Sequence, residues 1–248
     1  MKLASPLKVR LIAEAKVKTD RIDAWTLAHL ERIGFLPEAC IPPREVRDQR
    51  ELLRYRLALV GIGTSLKNRV HALLDKSGIR HGFTDLFGKG GREFLKALEL
   101  RDVYRQTLDG YLATLDFIET RLKQATRDIR VMLKADPRAE ALMTIPGVGQ
   151  LTAYLLPSEF GDIERFLSAK KLCAYSGLVP RTYQSGEHRY TGAITRQGNR
   201  YIRYAMVEAA QLAYKRDPAL GHFYDRLKRT KGSAKARVAV ARKLLVAV

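Results

Sequence analysis

Apolar side chains between residues 92 and 134 alternate by three and four positions, and this spacing limits the fold more than any other feature. The series is Leu108, Leu112, Leu115, Ile118, Leu122, Ala125, Ile129 and Met132. On a helix it makes a narrow apolar seam that a second helix has to cover. We predict one helix from about Arg92 to Lys134 and a partner from about Arg44 to Lys76, paired as a coiled-coil hairpin within one chain or between chains. A plain amphipathic pair packed on a core fits the spacing equally well.

Helical patterns dominate the rest of the chain, so the predicted fold class is mostly α with a small β component (α+β). KTDRIDAWTLAHLERIG predicts a helix that is capped by Thr19 or Asp20 and ends at Gly34. FLPEACIPP, rich in proline, predicts a linker, and SGIRHGFTDLFGKGG predicts a glycine-rich loop. A compact C-terminal domain is predicted to begin near Ala139.

The chain is strongly basic, and this favours a polyanionic partner. It has 45 Lys and Arg against 26 Asp and Glu, a net charge of +19, and a field of that sign attracts polyanions. Residues 226–243 hold eight basic side chains and no acidic one, and from Arg181 to Arg203 five arginines accompany one acid, Glu187. Because the guanidinium fork suits phosphate, we predict that the partner is a nucleic acid.

Hydropathy and cysteine usage exclude other classes of protein. No apolar run approaches the roughly 18 residues that a membrane span requires, so no membrane partner is predicted. Cys40 and Cys173 lie far apart and have no metal ligands near them in sequence, which is typical of reduced thiols in a cytoplasmic protein.

A Pro-Gly-Val-Gly turn interrupts the apolar run ALMTIPGVGQLTAYLL at residues 146–149. Helical spacing on both sides fits a helix-hairpin-helix element. Gly147 and Gly149 flank Val148, and glycine permits both positive φ and the close approach of a phosphate. The N-terminus of the second helix adds partial positive charge. We therefore predict that these three residues contact DNA, with a purely structural turn as the alternative.

Asp20 and Asp23 stand three residues apart, which places both carboxylates on one face of a helix. Two acids at that spacing repel unless a cation or a shared proton lies between them. An oxygen-bound Mg²⁺ would relieve the repulsion. Alternatively, Asp20 caps the helix and Asp23 is a solvated acid beside Lys18 and Arg21, and the pair by itself favours this second interpretation.

The most basic stretch predicts a hairpin with a serine at its tip. RTYQS and HRYTGAI are expected to be two strands that turn at Ser185, and a helix follows residue 199. A serine hydroxyl becomes an effective nucleophile where developing charge is stabilised, and arginines stabilise it by binding the non-bridging phosphate oxygens. The alternative is an ordinary turn. The arginines available for this role are Arg181, Arg189, Arg196, Arg200 and Arg203.

Four segments in this order resemble transposases of the insertion sequence one-ten family. They are KTDRIDAWTLA, IPGVGQLTAYLLPSEFGDIERFLSAKKLCAYSGLVPR, YQSG and RQGNRYIRYAM. The resemblance covers nearly the whole chain. It implies an N-terminal RuvC-like domain of the RNase H type, a coiled coil and a C-terminal transposase domain.

The resemblance also implies site residues and partners. The family's RuvC-like site uses four acids, and Asp20 and Asp23 match the final pair in its TDxxDA motif, with Mg²⁺ as the expected metal. Ser185 matches the serine that attacks DNA and becomes covalently joined to it. The implied partners are DNA, a structured guide RNA (the bridge RNA) and further copies of the chain in a dimer or tetramer, where the serine of one subunit completes a site with the acids of another.

In the family, the first Asp and the Glu lie on strands upstream of this motif, whereas this chain begins 19 residues before Asp20. We therefore expect an N-terminally truncated polypeptide whose acid site is incomplete and which is inactive in transposition. The implied domains are a RuvC-like remnant at 1–38, a helical coiled-coil region at 39–136 and a C-terminal transposase domain at 137–248. The expected location is the nucleoid in a prokaryotic cytoplasm.

Three hypotheses about function follow. The first is a DNA transposase polypeptide that uses Ser185 and a metal held by Asp20 and Asp23. The second is a non-catalytic nucleic-acid-binding remnant that keeps the basic surfaces without the chemistry. The third is a coiled-coil scaffold whose charge serves solubility, and the arginines around Ser185 argue against it.

Overall fold

The computed structural model describes residues 3, 4, 9, 19–134, 136–186, 188–195 and 197–248, and the chain divides into two compact units, residues 1–44 and 45–248. In the first unit, helix α1 (Asp20–Arg32) begins after Thr19, whose side chain accepts a hydrogen bond from the amide of Ile22 at 3.3 Å. The predicted helix is therefore confirmed, and its cap is Thr19 rather than Asp20. An isolated antiparallel bridge joins Ala4 to Glu38.

Further helices and one β-hairpin make up the rest of the described chain. In chain order they are α2 (Arg44–Lys76), α3 (Lys89–Ala97), α4 (Asp102–Met132), α5 (Pro137–Met143), α6 (Gln150–Phe160), α7 (Ala169–Ser176), β1 (Pro180–Ser185), β2 (His188–Ile194), α8 (Arg200–Arg216), α9 (Pro218–Lys231) and α10 (Ser233–Ala247).

Helices α2 and α4 pack side by side in opposite directions, and we call this pair the arm. Arg56 of α2 is hydrogen-bonded to Thr126 of α4, whereas seven residues further along α2, Gly63 lies against Ile118. The seam side chains buried in the arm are Leu108, Leu112, Leu115, Ile118, Ala125 and Ile129. The pairing predicted from the seam is therefore present within one chain, and coiled-coil supercoiling stays a prediction.

The prediction of one unbroken helix over residues 92–134 is wrong. The chain leaves helical geometry at Leu98, where ψ is 128°, and α4 begins only at Asp102. The guanidinium of Arg105 donates to the carbonyl oxygens of Leu95 and Leu98, at 2.9 and 3.2 Å. These bonds satisfy acceptors at the end of α3, so the break costs little. The seam also ends differently, because Met132 is 49% exposed and Leu133 takes the buried position.

Helices α5 to α10 enclose the larger hydrophobic core. The middle of α8 presents buried alanines to this core, and small side chains let neighbouring backbone approach closely. A Cβ atom built on Gly147 would lie 2.2 Å from the carbonyl oxygen of Ala209. The turn between α5 and α6 therefore rests directly on α8, and the buried α8 alanines are Ala205, Ala209, Ala210 and Ala213.

Strands β1 and β2 form a two-stranded antiparallel sheet, which confirms the predicted hairpin. All six residues of β1 are exposed, so the hairpin stands out from the helical core. The mostly helical fold with a small sheet agrees with the predicted fold class. In the part of the chain that the structure describes, no helix is long and apolar enough to cross a membrane.

Candidate functional site

Ser185 lies at the tip of the β-hairpin, as the sequence predicts. It ends β1 and pairs with His188, the first residue of β2, across the turn. Tyr183 pairs with Tyr190 two positions further from the turn, and side chains two residues apart on a strand share a face. Ser185 and His188 therefore lie on the same face as the two tyrosines, which are 61% and 69% exposed. The hydroxyl is accessible to a large ligand approaching this face.

The base of the hairpin is held rigidly by backbone contacts. Gly177 ends α7 in the left-handed conformation with φ of +71°, and the amide of Thr195 donates to the carbonyl of Val179 at 2.9 Å. A Cβ atom on Gly198 would lie 2.2 Å from the carbonyl oxygen of Tyr175, and φ there is +105°. Both chain ends of the hairpin are therefore anchored to α7.

Glu159 is a fully buried carboxylate that connects three helices. Arg54 of α2 donates two hydrogen bonds to its oxygens, at 2.7 and 2.8 Å, and Asn199 donates a third from Nδ2 at 2.6 Å. The oxygen of the Asn199 side chain accepts from the amides of Tyr201 and Ile202, so the same residue caps α8. The carboxylate thus ties the arm and the end of α6 to the segment that leaves the hairpin.

Arginines reinforce this connection. The hydrogen bonds that Arg54 donates to Glu159 raise the pKa of Arg54 above its usual value, so the guanidinium stays charged at any physiological pH. Its carbon Cζ also lies 4.5 Å from the centre of the Tyr201 ring. Arg50 donates to the carbonyl oxygens of Ser158 and Glu159, at 2.5 and 3.0 Å, so α2 is attached to the end of α6 at several points.

The structure describes the side chains of three of the five predicted phosphate-binding arginines. Arg181 is exposed on β1 at a register shift between Pro180 and Thr182. Arg200 is exposed at the start of α8 and stacks on the Tyr201 ring at 4.8 Å. Arg203 is half-buried and donates to the carbonyl oxygen of Ser176 at 2.9 Å.

The side chains of the other two arginines are not among those that the structure describes. Arg196 lies outside the described residues. Of Arg189 the structure describes only the backbone, which pairs with Gln184 in the hairpin register. The arginines' binding roles stay predictions.

The two glycines of the turn at 146–149 have different surroundings. Gly147 has φ of +85° and presses on α8, and Val148 is buried in the core. Packing within the protein therefore explains the conformations of Gly147 and Val148. Gly149 precedes α6 and is exposed, and a Cβ atom added to it would meet no other atom within 4 Å. Of the three residues predicted to contact DNA, Gly149 is the one whose backbone is open to a phosphate.

Asp20 and Asp23 both lie in the first turn of α1. Asp20 is exposed, whereas Oδ1 of Asp23 is buried without a hydrogen-bond partner among the described residues. A buried carboxylate oxygen without a donor fits a cation ligand. The two acids fit as part of an oxygen ligand set for a divalent metal. No cluster of three or more His, Cys, Asp or Glu side chains suited to a metal occurs within the described ranges.

Glu159 and Arg54 were not predicted as functional residues from the sequence. A weak signal was available, because Glu159 is the one charged residue in the run LTAYLLPSEF, and a carboxylate inside an apolar run needs a partner. Arg54 stands 105 positions away from Glu159 in the chain. Nothing local in the sequence identifies it as the partner.

Two models of transposase domains match the chain. The family described as Transposase IS116/IS110/IS902 family matches residues 139–225, which include the hairpin and its base. The DEDD transposase domain of IS110 elements matches residues 3–79, which include Asp20 and Asp23. Transposases are therefore the class of protein to which both parts of the chain correspond. The chain therefore contains two segments that match IS110-family transposase domains, as its resemblance predicted, and the DEDD type of domain indicates a site that depends on a divalent metal.

Individual relatives agree with this family. The transposase for insertion sequence element IS1111A of Coxiella burnetii is 26% identical over 84% of this chain, and that for element IS1328 of Yersinia enterocolitica is 27% identical over 87%. The chain covers 58% and 64% of the lengths of these relatives, less than two-thirds of each. A pilin gene-inverting protein of Moraxella bovis is 39% identical over 44% of this chain and 34% of its own length.

Proposed function

We propose that the chain is a DNA transposase polypeptide that cleaves and joins DNA strands through Ser185. The observation that carries the proposal is the position of this serine. It is exposed at the tip of a hairpin that stands out from the core, within the segment that matches a transposase domain. A projecting hairpin can enter a groove of DNA without moving the helices that hold it.

The proposed reaction is an exchange at phosphorus. The Ser185 oxygen forms a bond to the phosphorus of a phosphodiester and gives up its proton, while the bond from phosphorus to one strand oxygen breaks. That strand oxygen takes up a proton and leaves as a hydroxyl, so the DNA end stays attached to the protein. Attack by a hydroxyl of another strand reverses these steps and joins the DNA. Arg181 and Arg200 are exposed at the base of the hairpin, where they bind phosphates on either side of the reacting one.

Asp20 and Asp23 are proposed to hold a divalent metal, with Mg²⁺ as the ion. Bound there, Mg²⁺ supplies positive charge that stabilises the developing charge of a phosphoryl transfer. The two carboxylates bind and orient the ion on one face of α1, and the unpartnered Oδ1 of Asp23 supports this role. The remaining ligands come from outside this pair.

The proposed partners are DNA, a structured guide RNA and further copies of the chain. The positive charge of the protein supports binding to both nucleic acids. A dimer or tetramer would let the serine of one copy act with the acids of another. The corresponding location is the nucleoid of a prokaryotic cell.

The test is detection of a protein–DNA adduct that survives denaturation. The chain is incubated with Mg²⁺ and labelled DNA carrying the flanks of its insertion sequence, and the products are separated on a denaturing gel. Because the sequence predicts an incomplete acid site, a full-length relative with its own matching serine replaced by alanine is added to supply the remaining metal ligands. We then expect an adduct with the natural chain and none with Ser185→Ala. Ser168→Ala is the matched control, because Ser168 is also exposed and its side chain makes no capping hydrogen bond.

Two results would separate the hypotheses. An adduct that persists in Ser185→Ala would show that another residue is the nucleophile. DNA binding with no adduct in any variant would favour the non-catalytic nucleic-acid-binding protein. Asp20→Asn and Asp23→Asn should lower the adduct yield if these acids hold the metal.

A further inference from the structure

A basic depression lies on the side of the arm, away from the hairpin in sequence. It has a volume of about 550 Å³ and is open to solvent. We call it the arm depression, and its lining residues are Arg56 of α2 and Leu122, Lys123, Thr126, Arg127 and Arg130 of α4. Four of the six side chains are cationic and none is acidic.

Arg56 is the innermost cation of the arm depression. It is half-buried, and its Nε donates to the hydroxyl of Thr126 at 2.9 Å. Burial lowers the pKa of Arg56 below its usual value, and only the Tyr204 hydroxyl acts in the opposite direction. Among the described residues no carboxylate forms an ion pair with Arg56, and Glu208 lines a second depression that Arg56 also borders. A partly desolvated guanidinium without an ion pair is costly, and a bound anion would lower that cost.

The three cations on α4 stand on one face of the helix. Lys123, Arg127 and Arg130 are spaced by four and three residues and are all exposed, and like charges at these spacings repel. Arg127 is linked to Asp128 through Gln124, which accepts from Arg127 at 3.0 Å and donates to Asp128 at 2.7 Å. The repulsion is therefore only weakly compensated within the protein.

Other arginines of the same region have carboxylate partners. Arg92 pairs with Asp116 and Glu119, and Arg105 pairs with Asp109. What distinguishes the arm depression is that four cations converge on it and its lining holds no carboxylate.

We propose that the arm depression binds the sugar–phosphate backbone of DNA, at a distance along the chain from the Ser185 hairpin. Lys123, Arg127 and Arg130 span about 10 Å along the axis of α4, which lets them contact neighbouring phosphates of one strand. The methylene stems and Leu122 give sugars an apolar surface to contact. The choice of DNA over RNA rests on the proposed function, because DNA is the polyanion on which a transposase acts.

The test compares two triple variants that remove the same charge. The first variant removes the three exposed cations of the arm depression: Lys123→Gln/Arg127→Gln/Arg130→Gln. The second removes three exposed cations from α2 and α3: Lys76→Gln/Lys89→Gln/Lys96→Gln. Binding to a short duplex of unrelated sequence is measured by fluorescence anisotropy over a series of NaCl concentrations. We expect the first variant to lose about tenfold or more in affinity and to reduce the slope of log K against log salt by about 2–3, roughly 0.9 for each phosphate contact.

Equal losses in both variants would overturn the inference, since net charge alone would then explain binding. Loss of binding to an RNA hairpin with unchanged binding to duplex DNA would also overturn it. Arg56→Gln should weaken binding as well, and circular dichroism checks that each variant is folded. A reduced slope together with no Ser185 adduct in any protein would leave the arm depression established and the proposed catalytic function refuted.

Discussion

At the scale of single residues, the buried carboxylate of Glu159 is the most sensitive position. Replacing Glu159 with Gln removes the charge that faces Arg54 and Asn199. The free energy of unfolding should therefore fall by about 2–3 kcal/mol. This loss is at the low end for a buried ion pair because Arg54 keeps some contact with water. The loss is measured by urea denaturation. Glu119→Gln is the matched control, because its partly exposed pair with Arg92 contributes little to stability. Equal effects would show that Glu159 does not organise the three helices.

The two cysteines should react at very different rates. Cys40 is exposed and Cys173 is buried. Burial raises the pKa of the Cys173 thiol, an effect that Arg242 only partly offsets, and a higher pKa means less of the reactive thiolate at neutral pH. We expect one equivalent of thiol to react quickly with Ellman's reagent in the folded protein and two in denaturant. Two fast equivalents without denaturant would contradict the buried position of Cys173.

At the scale of elements, the two glycines of the turn between α5 and α6 have different predicted roles, one in packing and the other in binding DNA. Gly147→Ala should lower the free energy of unfolding by about 2–3 kcal/mol, because its φ is positive and its Cβ would collide with the backbone of α8. Gly149→Ala has open space and a negative φ, so stability should hardly change. If a phosphate approaches Gly149, the same variant should bind DNA more weakly. Unchanged DNA binding by a folded Gly149→Ala protein would show that this element is a structural turn and does not bind DNA.

The hairpin offers a second prediction at this scale. Tyr183 and Tyr190 are exposed cross-strand partners on the face of Ser185, and exposed aromatic rings stack on unpaired bases. Replacing both with Ala should weaken binding to single-stranded DNA by at least about 30-fold, since each of two stacked bases contributes about 1–3 kcal/mol. Replacing both with Phe keeps the rings and should preserve binding. If the Phe variant loses as much affinity as the Ala variant, the hydroxyl groups rather than the rings make the contact.

At the scale of the whole molecule, a net charge of +19 should dominate the encounter with DNA. We expect duplex affinity to fall steeply as salt is raised, with heparin competing and neutral dextran having no effect, because each phosphate contact releases counterions. Binding is measured by anisotropy from low to physiological salt. An affinity that does not depend on salt would exclude a charge-driven interaction.

Much of the architecture was predictable from the chain. The seam at 108–129, the helix that starts after Thr19 and the hairpin with Ser185 at its tip follow from spacing and turn residues, and all are present. The break at residues 98–101 was not predictable, because it depends on Arg105 satisfying the carbonyls at the end of α3. The acid pair and the serine were identified by motif, and their roles stay predictions.

What the sequence by itself determined are the properties that neighbouring residues carry: helix periods, turns, net charge and the family motifs. Only the tertiary structure decided which side chains meet across long separations, such as Glu159 with Arg54, Gly147 with Ala209, and Arg56 with Thr126. Local periodicity records which face of an element is buried, but the partner on the other side depends on how all elements pack together. The buried carboxylate and the uncompensated arm depression therefore appear only once the helices are assembled.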